Sequence, residues 1–191
     1  DPKYTYAYYN RGNAYYNKGD YDQAISDFTK AIELDPKYTY AYNTRGNAYY
    51  EKGEYNKAIS DYTKAIELDP KYTYAYYNRG NAYYNKGDYD QAISDFTKAI
   101  ELDPKYTYAY YTRGNAYYEK DEYDKAISDY TKAIELDSKY AFAMSDMGDA
   151  YYKKGDKERA KYWYEQALKN KDRLDQKQID IIQQRLKELK K

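Results

Sequence analysis

Small and aromatic residues in the first forty positions recur three and four residues apart, which is the spacing of one helix face. The pattern predicts a helix over about 5–18, carried by Ala7, Tyr8, Arg11, Gly12, Ala14 and Tyr15. A second apolar stripe predicts a helix over about 22–34, carried by Ala24, Ile25, Phe28, Ala31, Ile32 and Leu34. Gly19 suits a left-handed helix cap between them, and the residue before Pro36 avoids helical geometry.

The same pattern returns along the chain with a fixed period. Copies of the first unit begin at Thr39, Thr73 and Thr107, and a diverged copy begins at Ala141. A period of 34 residues is typical of stacked helical units, each too small to bury its own apolar face. Each unit is therefore predicted to be two antiparallel helices joined by a short turn.

A longer period overlies the first. Residues 1–68 and 69–136 differ only at Asn43/Tyr111, Gly53/Asp121 and Asn56/Asp124. Identity this high indicates recent duplication or an engineered array. The start without Met, inside a copy of the repeat end at Asp1–Tyr4, favours the second interpretation.

The chain after residue 174 has a different pattern. Ile179, Ile182, Leu186 and Leu189 form one apolar stripe among Lys, Gln and Glu residues. Residues 175–191 are predicted to form a helix that caps the open end of the array, as terminal caps do in solenoids. A membrane-surface helix is disfavoured, because the segment is short and carries both charge signs.

The repeat resembles the tetratricopeptide repeat (TPR). The signature positions are Tyr8, Gly12, Tyr15, Ala24, Phe28, Ala31 and Pro36, then Tyr42, Gly46, Tyr49, Ala58, Tyr62, Ala65 and Pro70. The resemblance implies an all-α, right-handed solenoid of helix-turn-helix repeats with a C-terminal capping helix. The array would span 1–174, with repeats at about 5–38, 39–72, 73–106, 107–140 and 141–174, followed by the cap at 175–191.

Two departures from the family pattern stand out. Ser138 replaces the expected Pro, and an Arg stands where the family usually has Leu, at Arg11, Arg45, Arg79 and Arg113. We expect each Arg stem to pack while its guanidinium pairs with a carboxylate of the second helix, such as Asp27 or Asp61.

The resemblance also directs attention to the first helices, which line a concave, peptide-holding groove in this family. We expect the groove to be lined by positions that do not pack inside their repeat. The candidate peptide-binding residues are Tyr6, Tyr9, Asn10, Asn13, Tyr16, Tyr40, Asn43, Asn47, Tyr50, Tyr74, Tyr77, Asn78, Asn81, Tyr84, Tyr108, Tyr111, Asn115 and Tyr118. The same face also carries Asn17, Thr44, Glu51, Asn85, Thr112 and Glu119.

This lining suggests a class of ligand. Tyr supplies flat contact area at low entropic cost, and an Asn amide can match a peptide group in both directions. Packed helices lie about 8–10 Å apart, close to the ~9.3 Å turn of a polyproline II strand. The hypothesis is an extended peptide that is Pro-rich or otherwise of low charge, held by tyrosine stacking and an Asn ladder.

Composition removes other classes of function. The 191 residues have a formal net charge of zero, which argues against nucleic acid or an anionic membrane as partner. The chain has neither His nor Cys, and no apolar run approaches a membrane span. We therefore expect a non-enzymatic protein with no cofactor and no metal. A cytoplasmic location is expected, and the absence of Cys by itself leaves the compartment open.

Some alternatives stay open. Tyrosine rings with amides also suit glycans or single-stranded RNA, and a designed scaffold would need no natural ligand. The 34 Tyr, against three Phe and one Trp, could also be compositional. A clamp for acidic chaperone tails is disfavoured, because Glu51 and Glu119 would oppose it. Apolar surface at Tyr8 and Tyr15 could support self-association through an uncapped N-terminal end.

Overall fold

The structure, a computed structural model, describes residues 2–189, so the predictions for Asp1, Lys190 and Lys191 lie outside the described residues. The chain divides into two compact units, 1–102 and 103–191. The first unit contains α1 Pro2–Asn17, α2 Tyr21–Leu34, α3 Thr39–Glu51, α4 Tyr55–Leu68, α5 Thr73–Asn85 and α6 Tyr89–Leu102. The second contains α7 Thr107–Glu119, α8 Tyr123–Leu136, α9 Ala141–Lys153, α10 Lys157–Lys169, a 3₁₀ turn Lys171–Arg173 and α11 Gln176–Glu188. The predicted all-α, helix-turn-helix architecture is confirmed.

Each repeat closes around a glycine on its first helix and an aromatic ring on its second. Phe28 is fully buried, and a Cβ built on Gly12 would lie 2.7 Å from its Cε1 atom. The same contact joins Gly46 to Tyr62, also at 2.7 Å. The two helices can approach this closely only because the glycine has no side chain.

The predicted turn between the two helices of a repeat is confirmed in its geometry. Gly19 adopts a φ of +77°, the left-handed conformation that ends the first helix. In the fourth repeat the same place is taken by Asp121, which has a φ of 59°. Asp121 is therefore a side-chain-bearing residue in a conformation that favours glycine.

The predicted Arg–carboxylate pairs are also confirmed. Arg79 donates from Nε to Oδ2 of Asp95 at 2.7 Å and from Nη2 to Oδ1 at 2.8 Å. The equivalent pairs are Arg11–Asp27, Arg45–Asp61 and Arg113–Asp129. Arg79 also donates to the hydroxyl of Thr63 in the preceding repeat at 3.0 Å, so the Arg joins two repeats of the first unit.

The predicted C-terminal helix forms as α11 and packs on α10. Ile182 of α11 is buried in a hydrophobic cluster with Met144 and Tyr164, and Leu186 and Leu189 lie at the edge of this cluster. Asp175 begins the helix with a capping box shared with Gln178. A helix that covers the apolar surface of the last repeat in this way has the arrangement expected of a cap. The domain boundary at residue 174 remains a prediction.

One face of α1 is open, whereas the equivalent face of α3 is covered. Ala7 and Ala14 are exposed, while Ala41 and Ala48 are fully buried. The covering comes from α2, which packs directly on α3. Self-association through the open face of α1 remains a prediction.

Candidate functional site

Within each unit, a row of aromatic rings, the tyrosine ladder, lies at the start of the first helices. In the first unit it consists of Tyr6, Tyr38, Tyr40, Tyr72 and Tyr74, with successive ring centroids 5.6, 6.2, 5.4 and 6.2 Å apart. The rings meet edge to face, an arrangement that aromatic quadrupoles favour. Each ring of the ladder is called a rung, and every second rung, beginning with Tyr6, is open to solvent.

The exposed rungs are residues that the sequence placed in the candidate site. Tyr6 is 57% exposed, Tyr40 55% and Tyr74 59%. The rungs between them, Tyr38 and Tyr72, stand just before α3 and α5 and are half-buried. Partial burial and the neighbouring rings raise the pKa of Tyr38 to about 12, so its hydroxyl stays protonated at neutral pH.

The second unit carries its own segment of the ladder. Tyr106, Tyr108, Tyr140 and Phe142 follow one another at 6.4, 5.9 and 6.3 Å. Tyr108 is 59% exposed. Beside it lies a cavity of about 450 Å³ lined by Tyr108, Tyr111, Lys139, Tyr140, Phe142 and Arg173, among others. This segment therefore combines aromatic walls with two basic side chains and the acidic Asp137.

Three tyrosines expected to face outwards instead pack inside their own repeat. The ring of Tyr9 lies 5.8 Å from Phe28, and that of Tyr77 lies 5.8 Å from Phe96. Tyr111 lies 6.1 Å from Tyr130. The expectation that these positions do not pack within the unit is wrong, because the aromatic residue of the second helix reaches across to them.

Asn43, at the same position in the second repeat, is also buried, at 5% exposure. Its Oδ1 accepts a hydrogen bond from Nδ2 of Asn78 at 3.1 Å, and Nδ2 of Asn78 also lies 3.1 Å from Oδ1 of Asn47. The expectation that Asn43 stands free of packing is therefore wrong. Part of the Asn ladder is a network inside the first unit rather than a row of free amides.

In the first four repeats, the Asn of the Asn ladder belongs to a repeat whose second helix carries either a Tyr or a Phe at the buried aromatic position. Asn47 accepts from the hydroxyl of Tyr62 at 2.8 Å, and Asn115 accepts from Tyr130 at 2.8 Å. Asn13 and Asn81 belong to repeats with Phe28 and Phe96, which offer no hydroxyl. Between residues 2 and 189, the side-chain amides of Asn13 and Asn81 have no hydrogen-bond partner. Hydrogen-bonding capacity thus alternates with the 68-residue period.

The remaining candidate residues lie towards the ends of the first helices. Tyr16, Tyr50, Tyr84 and Tyr118 are half-buried and contact the first residue of the next helix, at centroid distances of 5.4–5.5 Å. The hydroxyl of Tyr50 accepts from Nδ2 of Asn85 at 2.5 Å. Asn10 is exposed. Inside the first unit, an open cavity of about 190 Å³ is lined by Tyr16, Asn47, Tyr50, Glu51, Tyr62, Asn78 and Asn81.

In the fifth repeat, carboxylates replace amides. Asp149 accepts from the hydroxyl of Tyr164 at 2.5 Å and pairs with Arg185 of α11 at 3.3 Å. Asp146 accepts from the hydroxyl of Tyr111 at 2.7 Å. Burial raises the pKa of Asp146 to about 7, and the nearby charge of Asp149 adds to the rise.

Sequence reasoning missed several residues of this face. They are the rungs Tyr38, Tyr72, Tyr106 and Tyr140, the end ring Phe142, and the charged Asp146, Asp149, Arg173 and Arg185. The first four recur at the 34-residue period, and that regularity could have found them. Asp149 could have been found as a departure from Asn, and Asp146 as a departure from Asn or Thr, at fixed positions of the repeat.

Two further kinds of feature concern metal ions and membranes. Across residues 2–189, no three His, Cys, Asp or Glu side chains are grouped so that they could hold a metal ion. Within the same range, no helix has both the length and the apolar content needed to cross a membrane.

Comparison with known proteins identifies these stacked helix pairs. Models described as tetratricopeptide repeat match residues 5–38, 73–106 and 107–140, others match 28–60 and 141–173, and one described as TPR repeat matches 46–87. The chain belongs to the tetratricopeptide repeat family. A search of curated proteins gave no match.

Solved structures agree with this assignment. A crystal structure of MamA protein is 31% identical, with a TM-score of 0.82 over 90% of this chain and 94% of that one. MamA from Desulfovibrio magneticus RS-1 is 20% identical, with a TM-score of 0.84 over 90% and 97%. YrrB, described as a TPR protein with an unusual peptide-binding site, is 24% identical, with a TM-score of 0.75 over 90% and 87%. The last two are less than 25% identical and show the fold alone. Proteins of the TPR family are generally non-catalytic scaffolds that bind proteins or peptides.

Proposed function

We propose that this chain is a protein-interaction scaffold whose first helices hold an extended peptide along the tyrosine ladder. The observation that carries the proposal is the row Tyr6, Tyr40 and Tyr74, each more than half exposed although each ring is large and apolar. Exposed aromatic surface of this kind is typical of interaction sites. It recurs once per repeat, so a ligand with its own repeat can use each rung in turn.

An extended, Pro-rich peptide of polyproline II form suits this surface. Pro rings stack on aromatic side chains, and the polyproline II backbone is preformed, so little conformational entropy is lost on binding. The unpaired amides of Asn13 and Asn81 can bind a peptide group as donor and acceptor. In Asn47, whose side-chain carbonyl already accepts from Tyr62 and Asn78, the amide Nδ2 remains to donate to a ligand carbonyl.

The first experiment is a titration with oligoprolines of three, six, nine and twelve residues, followed by calorimetry. We expect the affinity to rise in steps of three residues up to nine residues, because each added turn reaches a further exposed tyrosine of the first unit. A Lys/Glu-rich peptide of twelve residues, an oligosaccharide and a single-stranded oligonucleotide are the comparison ligands. Binding of the sugar or the nucleic acid alone would contradict the peptide proposal and favour one of the alternatives.

Variants of the ladder locate the binding surface. Tyr40→Ala and Tyr74→Ala remove exposed rings, so we expect weaker peptide binding with little loss of stability. Tyr162→Ala is the matched control, because Tyr162 is 52% exposed but lies on α10, outside the ladder. Tyr9 and Tyr77 are poor choices, since their rings pack on Phe28 and Phe96. Equal affinities for Tyr40→Ala and Tyr162→Ala would show that the peptide binds elsewhere.

A further inference from the structure

The cavity of about 190 Å³ in the first unit has a carboxylate without a counter-ion at its edge. Glu51 is exposed at the end of α3 and, among residues 2–189, its side chain makes no ion pair or hydrogen bond. The nearest basic residue in sequence, Lys52, pairs instead with Asp22 and Glu54. The Glu51 charge is therefore available to a ligand.

Two further features of the cavity favour a cation. Glu51 ends a helix, where the macrodipole is negative. The rings of Tyr16 and Tyr50 line the cavity, and tyrosine rings attract ammonium and guanidinium groups. Glu51 lines the same cavity as both rings, and burial together with the Glu51 charge raises the pKa of both tyrosines.

Two amides of the cavity leave an acceptor for such a group. The carbonyl of Asn47 is already occupied by Tyr62 and Asn78. Asn78 and Asn81 line the same cavity, and in the described part of the chain neither side-chain carbonyl accepts a hydrogen bond. A water takes about 30 Å³ of liquid volume, so the cavity has room for an ammonium or guanidinium head group.

We propose that this cavity binds a Lys or Arg side chain of the peptide, with Glu51 as the counter-ion, Asn81 as a hydrogen-bond acceptor, and Tyr16 and Tyr50 as walls. The inference rests on the proposed peptide-binding function and makes it more specific. The ligand is then an extended peptide with a basic residue, rather than one of low charge throughout.

The test compares three capped nine-residue oligoprolines whose central residue is Lys, norleucine or Glu. Dissociation constants are measured by fluorescence anisotropy with dye-labelled peptides. We expect the Lys peptide to bind about tenfold more tightly than the norleucine peptide, with the Glu peptide weakest. The preference should shrink between 50 and 500 mM NaCl, because partly exposed charge pairs are screened by salt.

Two variants complete the test. Glu51→Gln keeps the size of the side chain and should abolish the preference for Lys over norleucine. Glu33→Gln is the control, since it removes the same charge from α2, which does not line the cavity. Circular dichroism of both variants verifies that they are folded, and the salt series on the unaltered protein is independent of any variant.

The outcomes separate the two proposals. Equal binding of the Lys and norleucine peptides, or a preference that survives Glu51→Gln, would overturn the basic-residue pocket and leave the peptide-binding face standing. Failure of all three peptides to bind would overturn both.

Discussion

Arg79 and Asp95 form a bidentate ion pair between the first and second helices of the third repeat. The Asp95 side chain is 7% exposed and the Arg79 side chain 18%, so both charged groups are largely withdrawn from water. The hydrogen bonds to Asp95 raise the pKa of Arg79, which keeps the guanidinium charged. A pair of this kind joins helices at a place where the family usually has Leu.

Arg79→Leu should therefore be strongly destabilising even though Leu is the usual family residue. Asp95 would be left buried without a partner, which costs about 3–5 kcal/mol. The double variant Arg79→Leu with Asp95→Ala should recover most of the loss, because no charge remains buried alone. Guanidinium unfolding followed by circular dichroism measures both.

Arg11→Leu is the matched comparison, since its side chain is 56% exposed and water can reach Asp27 once the guanidinium is removed. We expect a smaller loss than for Arg79→Leu. A double variant as unstable as Arg79→Leu alone would contradict this account and assign the cost to lost packing of the Arg stem.

Asp146 should make stability depend on pH. Its pKa is raised to about 7 by burial, whereas an unfolded Asp titrates near 3.9. Between these values the folded chain binds more protons than the unfolded chain, so this contribution to stability is full below about pH 4 and is lost as the pH rises to about 7. The groups around it are the Tyr111 hydroxyl from α7 and Asp149 on its own helix, whose charge Arg185 of α11 partly offsets.

Asp146→Asn should remove this slope and stabilise the protein at pH 8. Asn is the residue at the same place in repeats one and three, as Asn10 and Asn78, so the repeat can accommodate it. Melting temperatures of both proteins from pH 4 to pH 8 provide the measurement. Parallel pH curves for the two proteins would exclude Asp146 as the titrating group.

Asp121 adopts a left-handed backbone conformation at a position where the other repeats have glycine. Relative to glycine, such a conformation costs an L-residue about 1 kcal/mol. Asp121→Gly should therefore stabilise the protein by about that amount, less the small contribution of the exposed hydrogen bond that Asp121 accepts from the Tyr123 hydroxyl.

The reverse substitution can be made in the second repeat as a test of the same explanation. Gly53 occupies the same place in the second repeat with a φ of +73°, so Gly53→Asp should destabilise by a similar amount. Thermal unfolding of the two single variants and of their combination measures both effects. If both single substitutions shift stability in the same direction, backbone conformation is not the cause.

The helices and the Arg pairs could be predicted from the sequence because each depends on local spacing. Ala24, Phe28 and Ala31 lie on one face of a helix by periodicity alone, and they are fully buried. Because the stem of Arg79 packs in the core, its guanidinium needs a buried hydrogen-bond acceptor. Asp95 on the facing helix is the carboxylate within reach. Periodicity determines such relationships within a repeat.

The candidate site was less predictable because it depends on how far side chains reach beyond their own helix. Tyr9 and Tyr6 lie on the same side of α1, yet Tyr9 packs on Phe28 while Tyr6 is open. The sequence shows that Asn47 lies on the first helix but not that the Tyr62 hydroxyl occupies its carbonyl. A single hydroxyl, present in Tyr62 and absent in Phe96, changes what the amide can offer to a ligand.

Ile181 and Ile182 test whether α11 stabilises the array as a cap. Ile182 is 1% exposed against the cluster that contains Tyr164, whereas Ile181 is 46% exposed. Ile182→Ala leaves a cavity and should destabilise the protein by about 2–5 kcal/mol, while Ile181→Ala should change stability by less than about 0.5 kcal/mol. Hydrogen exchange should show the added opening of Ile182→Ala in α10, because α10 packs directly under α11. Equal, small effects of the two substitutions would mean that α11 rests on the repeat without stabilising it.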